Sequence, residues 1–193
     1  TDAITPYNSE LGQKITNAWK WNAADQAFNY YGSDGKEETI APNKIYTIDG
    51  DSYFLLSGGK PYVGTCTIDK AIYSFSNAAN SSDIPGKMVR NAWVGENTKH
   101  GVQWRYFGSD GRYQKKGIGA YKVLADSNNY YLLDANGYLI KGKMVKAANK
   151  YYYMSNKNGV VYREKLVKSG KYRYYFTSDG RRATWKNRWA LCK

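Results

Sequence analysis

The sequence predicts an all-β chain built as an elongated solenoid of repeated β-hairpins, and three observations support this fold class. The 193 residues include 20 Tyr and 19 Gly, a composition that favours short strands and tight turns over helices with a Leu/Ala-rich face. A cluster of Tyr, Phe or Trp followed by Ser, Asn or Asp and then Gly recurs along the chain. Successive copies lie 21 to 27 residues apart, which is the length of one supersecondary unit per repeat.

The copies of this phrase divide the chain. They end at Gly35, Gly59, Gly86, Gly111, Gly137, Gly159 and Gly180. Copies three apart match best, as in NYYGSDGK, RYFGSDGR and YYFTSDGR, which indicates a superperiod of three units. We therefore expect residues 1–16 to be a linker or N-terminal cap and residues 17–193 to form an array of about seven hairpin repeats of 21–27 residues.

Asp-Gly or Asn-Gly follows the aromatic run in five copies. These dipeptides are Asp34-Gly35, Asp110-Gly111, Asn136-Gly137, Asn158-Gly159 and Asp179-Gly180. Both residues tolerate the positive φ that a type I′ turn requires at its two central positions. The pattern therefore predicts that these dipeptides form the hairpin turns, and that neighbouring hairpins stack because a lone hairpin is marginal in water.

Charge is distributed unevenly between the two halves. Residues 1–96 hold 8 basic and 11 acidic side chains, a net charge of −3, whereas residues 97–193 hold 21 basic and 5 acidic, a net charge of +16. Such an asymmetry suggests an anionic partner for the C-terminal half, such as nucleic acid, anionic lipid or a phosphate-bearing polymer. The alternative interpretation is a solvated basic surface that keeps the protein soluble.

Catalytic and metal-binding patterns find little support. The single histidine, His100, lies in a polar stretch, and Asp34, Asp110 and Asp179 each precede a turn glycine, where Asp supports the backbone. Cys66 and Cys192 lack the spacing of a metal site. No apolar run approaches the roughly 18 residues of a membrane span. We predict that the chain is not an enzyme, that it uses no cofactor or metal, and that it does not span a membrane.

The last repeats resemble a known family. The phrases GKYRYYF followed by SDG, and KYYY followed by NG, are similar to the cell-wall-binding or choline-binding repeats of Gram-positive surface proteins, which also occur in glucan-binding domains and clostridial toxin tails. The resemblance covers roughly residues 17–193. It implies a left-handed superhelix of hairpins on a secreted or cell-wall-associated protein, with grooves between hairpins that bind wall polymers or glucans and no catalysis by the repeats.

The sequence departs from that pattern at its tryptophans. They are Trp19, Trp21, Trp93, Trp104, Trp185 and Trp189, and none follows a glycine. Choline-binding repeats carry a Gly-Trp pair and surround a quaternary ammonium with aromatic rings, a cation–π arrangement. A half with a net charge of +16 disfavours a cationic ligand, so we expect choline binding at most near Trp19, Trp21 and Tyr30.

Aromatic and basic side chains are the candidate ligand contacts, because sugars stack on flat rings and Lys or Arg donates hydrogen bonds to phosphates and carboxylates. The predicted aromatic contacts are Trp19, Trp21, Tyr30, Trp93, Trp104, Tyr106, Tyr130, Tyr152 and Tyr175. The predicted cationic contacts are Arg105, Lys115, Lys116, Arg173, Arg181 and Arg182. The alternative for any of these rings is packing between hairpins, and Trp185 and Trp189 could form a terminal cap.

The sequence thus predicts a non-catalytic, extracellular module that binds a cell-wall polymer, either teichoic acid or polysaccharide, through many weak contacts. Two other classes stay open. A nucleic-acid-binding protein fits the basic charge and interleaved aromatics, but a sevenfold hairpin period is not typical of nucleic-acid modules. An adhesin or spacer array that contacts a host protein or a host glycan would have the same sequence pattern.

Overall fold

The computed structural model describes residues 7–8, 13–80, 83–115, 119–122 and 129–184, with side chains from residue 14 onward except in 119–122. Within these ranges the regular structure is β, apart from one 3-10 turn at Ser57–Gly59. The chain divides into two compact units. The first unit is Thr1–Arg90 with Ser109–Tyr113, and the second is Asn91–Gly108 with Gln114–Lys193.

Short strands make up each unit. Those of the first unit are β1 (Tyr7–Asn8), β2 (Gln13–Lys14), β3 (Ala18–Asn22), β4 (Ala27–Tyr31), β5 (Glu37–Glu38), β6 (Lys44–Ile48), β7 (Asp51–Leu55), β8 (Gly64–Ile68) and β9 (Ala71–Phe75). Those of the second unit are β10 (Ala92–Thr98), β11 (Gly101–Phe107), β12 (Gly119–Lys122), β13 (Tyr130–Leu133), β14 (Met144–Ala147), β15 (Lys150–Tyr153), β16 (Lys165–Ser169) and β17 (Tyr172–Phe176).

Consecutive strands pair as antiparallel hairpins. The pairs are β1–β2, β3–β4, β6–β7, β8–β9, β10–β11, β12–β13, β14–β15 and β16–β17, and β5 adds a third strand beside β4. The aromatic run is the second strand of its hairpin, as in the register that places Trp19 opposite Tyr30 and Val145 opposite Tyr152. The prediction of an all-β array of hairpins is confirmed.

The turns that close the hairpins lie before the aromatic strand, which corrects the predicted turn positions. Asp49-Gly50, Asp69-Lys70 and Ala148-Asn149 have positive φ at both central residues, as type I′ turns require. In the predicted dipeptides only the glycine has positive φ, so those dipeptides do not form type I′ turns. They close a turn after the hairpin, where the amide of Gly180 donates to the carbonyl of Thr177 at 2.8 Å.

The chain after each such turn returns onto the hairpins, and we call this stretch the returning segment. Isolated antiparallel bridges join Lys87 to Tyr53 and Met88 to Phe75, and likewise join Val160 to Tyr131 and Val161 to Met154. Neighbouring residues of one returning segment therefore pair with two hairpins. This connection brings side chains that follow a turn glycine next to the aromatic strands of the two hairpins before that turn.

Aromatic side chains fill much of the interior. The core of the first unit contains Phe28, Ile48, Tyr53 and Leu55. The second unit has one cluster of Leu132, Ile140, Ala147, Tyr152, Met154 and Val161 and a smaller one of Tyr106 and Tyr131. Phe75, Phe107 and Phe176 are the largest side chains in the described chain that are fully buried. Strand alternation places these rings on the inner face of each hairpin.

Candidate functional site

Aromatic rings of the first unit pack against each other at the edge of its core. Trp19 lies with its ring centroid 5.1 Å from that of Tyr30 and 5.1 Å from that of Tyr46. Trp21 packs edge-on against the buried Phe28, with centroids 5.0 Å apart. Because Trp19, Trp21 and Tyr30 are only half-buried, these tilted and edge-on pairs stabilise the fold and leave ring surface open to solvent.

A pocket of about 690 Å³ opens beside Tyr30 in the first unit. Asp25, Glu37 and Glu38 contribute three exposed carboxylates to its lining, and Lys60 contributes one amine. The carboxylates outnumber the amine, so the local potential disfavours an anionic ligand. We call this site the acidic pocket.

Trp93 packs against two tyrosine rings of the second unit. Its ring centroid lies 5.2 Å from that of Tyr106 and 5.2 Å from that of Tyr131. Tyr106 is 4% exposed, so its ring is enclosed by its neighbours and offers no open face for stacking. Trp93 is half-buried and keeps part of its surface in solvent.

Trp104 and Arg105 are adjacent on β11 and have different surroundings. Trp104 lies opposite Gly95, and the amine of Lys141 lies 5.2 Å from the centroid of the Trp104 ring. The Arg105 guanidinium pairs with the Glu96 carboxylate at 3.0 Å and donates to the Tyr138 hydroxyl at 2.7 Å. Arg105 is therefore committed to partners within the protein.

A second pocket, of about 430 Å³, lies in the C-terminal part of the second unit. Tyr130 and Tyr152 line it together with Arg163 and Arg181. The guanidinium carbon of Arg163 lies 5.4 Å from the centroid of the Tyr130 ring, within the range of a cation–π contact. Val161, Ser178 and Asp179 complete the lining. We call this site the basic-aromatic pocket.

The single carboxylate of the basic-aromatic pocket is held by the turn that carries it. Asp179 accepts hydrogen bonds from the Thr177 hydroxyl at 2.5 Å and from the Arg181 amide at 3.1 Å. These bonds, the hydroxyl first, hold the pKa of Asp179 below its ordinary value of 3.8. The Arg181 guanidinium also pairs with Asp179, at 3.1 Å. Among the described side chains, Arg163 has no carboxylate within ion-pair distance, so it supplies the uncompensated positive charge of the pocket.

Comparison with solved structures identifies the architecture. Choline binding protein F from Streptococcus pneumoniae, crystal form II, matches at 21% identity with a TM-score of 0.51, over 90% of this chain and 49% of that one. CbpJ from Streptococcus pneumoniae TIGR4 matches at 20% identity with a TM-score of 0.53, over 89% and 49%. This chain has the choline-binding-repeat fold. It spans about half the length of those structures.

A third match to the choline-binding-repeat fold is choline binding protein F determined in the presence of a peptidoglycan analogue, a tetrasaccharide-pentapeptide. Its identity is 21% and its TM-score 0.52, over 90% of this chain and 48% of that one. No protein-family model and no curated protein matches the sequence. At these identities the likeness establishes the fold, and the ligand has to be argued from the side chains.

The remaining predicted contacts are spread over this choline-binding-repeat fold. Tyr175 is half-buried opposite Leu166, and Arg173 is exposed opposite Lys168. Lys115 is exposed. Arg182 lies over the rings of two tyrosines that the sequence did not single out, Tyr151 and Tyr174. Lys116, Trp185 and Trp189 lie outside the described residues.

Of the predicted residues, the structure brings Tyr130, Tyr152 and Arg181 together in the basic-aromatic pocket. The sequence did not single out Arg163. Arg163 follows the turn glycine Gly159, in the chain that returns beside Tyr131. A rule that pairs each returning segment with the aromatic strands of the two hairpins before it would have identified it.

Other reactive groups form no centre in the described chain. Within those residues there is no group of three His, Cys, Asp or Glu side chains that could hold a metal ion. No described helix is long and apolar enough to cross a membrane. His100 is exposed in the β10–β11 turn. Cys66 is a half-buried free thiol whose pKa is raised by burial, and Cys192 lies outside the described residues.

Proposed function

We propose that the chain is a non-catalytic module that binds an anionic bacterial wall polymer outside the cell. The observation that carries this proposal is the basic-aromatic pocket, in which Tyr130 and Tyr152 meet Arg163 and Arg181. The matching structures give further support, since choline binding protein F is a choline-binding protein by name and one of its structures was determined in the presence of a peptidoglycan analogue.

The pocket suits one sugar unit that carries a negative charge. Its volume of about 430 Å³ lies within the range of small-ligand sites. Tyr130 is half-buried and can support a sugar ring, whereas Tyr152 is 8% exposed and contributes to the wall of the pocket as part of the core. Arg163 can donate two parallel hydrogen bonds to a phosphate or carboxylate. Asp179 pairs with Arg181 at 3.1 Å, which leaves Arg163 as the main anion contact.

The fold presents further ring surfaces that the polymer can contact. Half-buried rings occur in both units, among them Trp19, Trp93 and Trp104. Each contact alone is weak, but once one polymer segment is bound, the next contacts occur at a high effective concentration. The proposal therefore combines low affinity for a single sugar with strong retention on intact walls. Teichoic acid fits better than a neutral polysaccharide because of the charge of the second unit.

The experiment is a pull-down of the chain on Gram-positive walls, before and after removal of their teichoic acids. We expect retention that falls on stripping, falls with salt because charge contacts are screened, and is unchanged by choline. Unchanged retention on stripped walls would contradict the anionic ligand. Absence of retention on every wall preparation would overturn the proposed function and direct attention to host glycans or protein partners.

A pair of matched double variants tests the pocket itself. Replacing Arg163 and Arg181 by Ala removes two charges from the basic-aromatic pocket. Replacing Lys20 and Lys44 by Ala removes two charges from exposed positions of the first unit. We expect the pocket variant to lose retention by roughly tenfold to a hundredfold, because the charge-assisted hydrogen bonds of Arg163, the main anion contact, contribute about 1.5–3 kcal/mol. The control variant should bind nearly as wild type. Equal losses would assign binding to net charge alone.

A further inference from the structure

Two basic side chains face each other directly across the β16–β17 hairpin. The register places Lys168 opposite Arg173, and directly opposite residues of an antiparallel pair point to one face with their Cβ atoms about 4.5–5.5 Å apart. Both side chains are exposed. At no other position in the described strand pairs do two like charges oppose each other. Because such a pair destabilises a hairpin, this position lowers the stability of the free protein.

No acidic side chain of this hairpin compensates the two charges. Residues 165–176 contain four basic residues and no Asp or Glu, the basic residues being Lys165, Lys168, Lys171 and Arg173. Within the described part of the chain, no carboxylate lies within ion-pair distance of any of these four side chains. The β10–β11 hairpin differs, since there the Arg105 guanidinium pairs with the Glu96 carboxylate at 3.0 Å. The β16–β17 hairpin therefore carries an uncompensated positive patch.

We infer that Lys168 and Arg173 form a binding site for a phosphate group of a polyanion, separate from the basic-aromatic pocket. A phosphate between the two side chains replaces their mutual repulsion by two attractions, with Arg173 donating parallel hydrogen bonds and Lys168 supplying a point charge. The inference rests on the proposed function only for the kind of polymer, because its residues are not those of the basic-aromatic pocket.

The surroundings of the pair favour a polymer over a single phosphate ion. Leu166 and Tyr175 oppose each other two residues further along the same face, and Leu166 is 46% exposed. Apolar surface thus adjoins the two charges and can pack against the carbon linker between successive phosphates. Lys171 lies at the hairpin turn with its amine 5.3 Å from the centroid of the Tyr172 ring, and its charge adds to the positive potential for a neighbouring phosphate.

The test uses the full chain and linear inorganic polyphosphate, followed by NMR of backbone amides and by thermal unfolding, with sodium chloride at equal ionic strength as the blank. Lys168→Glu places a carboxylate opposite Arg173, so its thermal midpoint should rise above that of wild type while it binds polyphosphate about tenfold more weakly. Lys150→Glu makes the same charge change at an exposed position opposite Ala147. This control should bind nearly as wild type, and its thermal midpoint should not rise.

Several results would overturn the inference. Equal losses in Lys168→Glu and Lys150→Glu would assign polyphosphate binding to net charge, and amides of residues 168 and 173 that do not respond would place it elsewhere. If Lys168→Glu does not fold, Lys168→Gln removes the charge and tests binding alone. Stronger binding to phosphatidylglycerol vesicles than to polyphosphate would identify a lipid surface instead of a polymer.

The same titration separates this inference from the proposed function. The variant with Arg163 and Arg181 replaced by Ala should keep the polyphosphate response at residues 168 and 173, because the basic-aromatic pocket does not contribute to it. A protein that binds polyphosphate at Lys168 and Arg173 but is not retained on walls would contradict the proposed function alone. Retention on walls without that response would contradict this inference alone.

Discussion

Tyr30 lines a pocket with Asp25, Glu37 and Glu38, whereas Tyr130 and Tyr152 line one with Arg163 and Arg181. Both pockets lie beside antiparallel hairpins, and both present tyrosine to solvent. Their electrostatic surroundings have opposite signs, so the hairpin supplies the rings and the neighbouring charges decide which ligand the rings can accept. One fold therefore carries two kinds of surface on one chain.

The contacts of the rings differ in the same way. In the first unit rings pack on rings, as Phe28 does with Trp19, Trp21 and Tyr53. In the second unit many ring faces carry a cation. These pairs are Arg105 with Tyr138, Lys141 with Trp104, Arg163 with Tyr130, Lys165 with Tyr162, and Arg182 with Tyr151. Long basic side chains thereby cover part of the aromatic surface of the second unit.

The largest expected effect tests whether both units depend on buried aromatic rings to a similar extent. Phe28 in the first unit and Phe176 in the second are 4% and 0% exposed, so replacing either by Ala should cost about 3–5 kcal/mol of unfolding free energy. Urea denaturation measures the loss. Val102→Ala is the control, since that side chain is 57% exposed and should change stability by less than about 0.5 kcal/mol. A small loss of unfolding free energy in only one unit would show that its buried phenylalanine contributes little to the stability of that unit.

The next effect separates binding from stability at Trp104. Its half-buried ring lies opposite Gly95 with the Lys141 amine 5.2 Å from its centroid. We expect Trp104→Ala to lower wall retention while costing only about 1–2 kcal/mol of stability, as measured by pull-down and thermal unfolding in parallel. Complete unfolding would assign Trp104 to the core and remove it from the binding surface.

A smaller effect compares the same turn position in the two units. Thr177 donates to Asp179, whereas Gly32 stands at the corresponding position before Asp34 and has no hydroxyl. Asp179→Asn should cost about 1 kcal/mol near neutral pH, and Asp34→Asn should cost less. Equal losses for the two variants would show that the Thr177 hydroxyl adds nothing.

The pH dependence of the Asp179 effect has a definite sign. Because its folded-state pKa lies below the ordinary value of 3.8, the carboxylate stabilises the protein above that pH, and the contribution is lost as the pH falls through the folded-state pKa. The difference between wild type and Asp179→Asn, followed by urea titration, should therefore shrink in acid. A difference that stays constant below that range would contradict the assignment.

The smallest effect concerns type I′ turns of the two units. Gly50 occupies one central position with φ of 84°, and Ala148 occupies another with φ of 45°. A left-handed backbone is costly for a residue with a Cβ, so Ala148→Gly should stabilise the protein by about 0.5–1 kcal/mol and Gly50→Ala should destabilise it by about 1 kcal/mol. Differential scanning calorimetry distinguishes these shifts. A destabilised Ala148→Gly would mean that the turn is held by contacts rather than by backbone preference.

The hairpin array could be predicted because its signal is repeated. Aromatic runs at regular spacing indicate strands whichever way they pair. The turn positions could not be predicted, because Asp69-Lys70 and Ala148-Asn149 carry weak type I′ signals. The Asp-Gly and Asn-Gly dipeptides that follow the aromatic runs carry strong type I′ signals but form a turn after the hairpin. Strand pairing overrides local preference when the better-packed register places an unfavoured residue in the turn.

The site was predictable only in part, for a related reason. Tyr130, Tyr152 and Arg181 followed from residue type, and their role in binding stays a prediction. Arg163 was not predicted, because its proximity to Tyr130 depends on pairing between segments that are distant in sequence. Arg105 illustrates the converse, since charge alone suggested an anion contact and the Glu96 carboxylate across the hairpin satisfies that charge.

The returning segments also determine how the array would respond to force. Val160 bridges Tyr131 while Val161 bridges Met154. Tension applied along the chain therefore unfolds one hairpin only after its bridges to the next hairpin break. Tension should therefore release the repeats one at a time. Each event would free 21 to 27 residues, or roughly 70–90 Å of extended chain at about 3.4 Å per residue. A protein of this construction would lengthen in steps under shear and keep its remaining repeats folded.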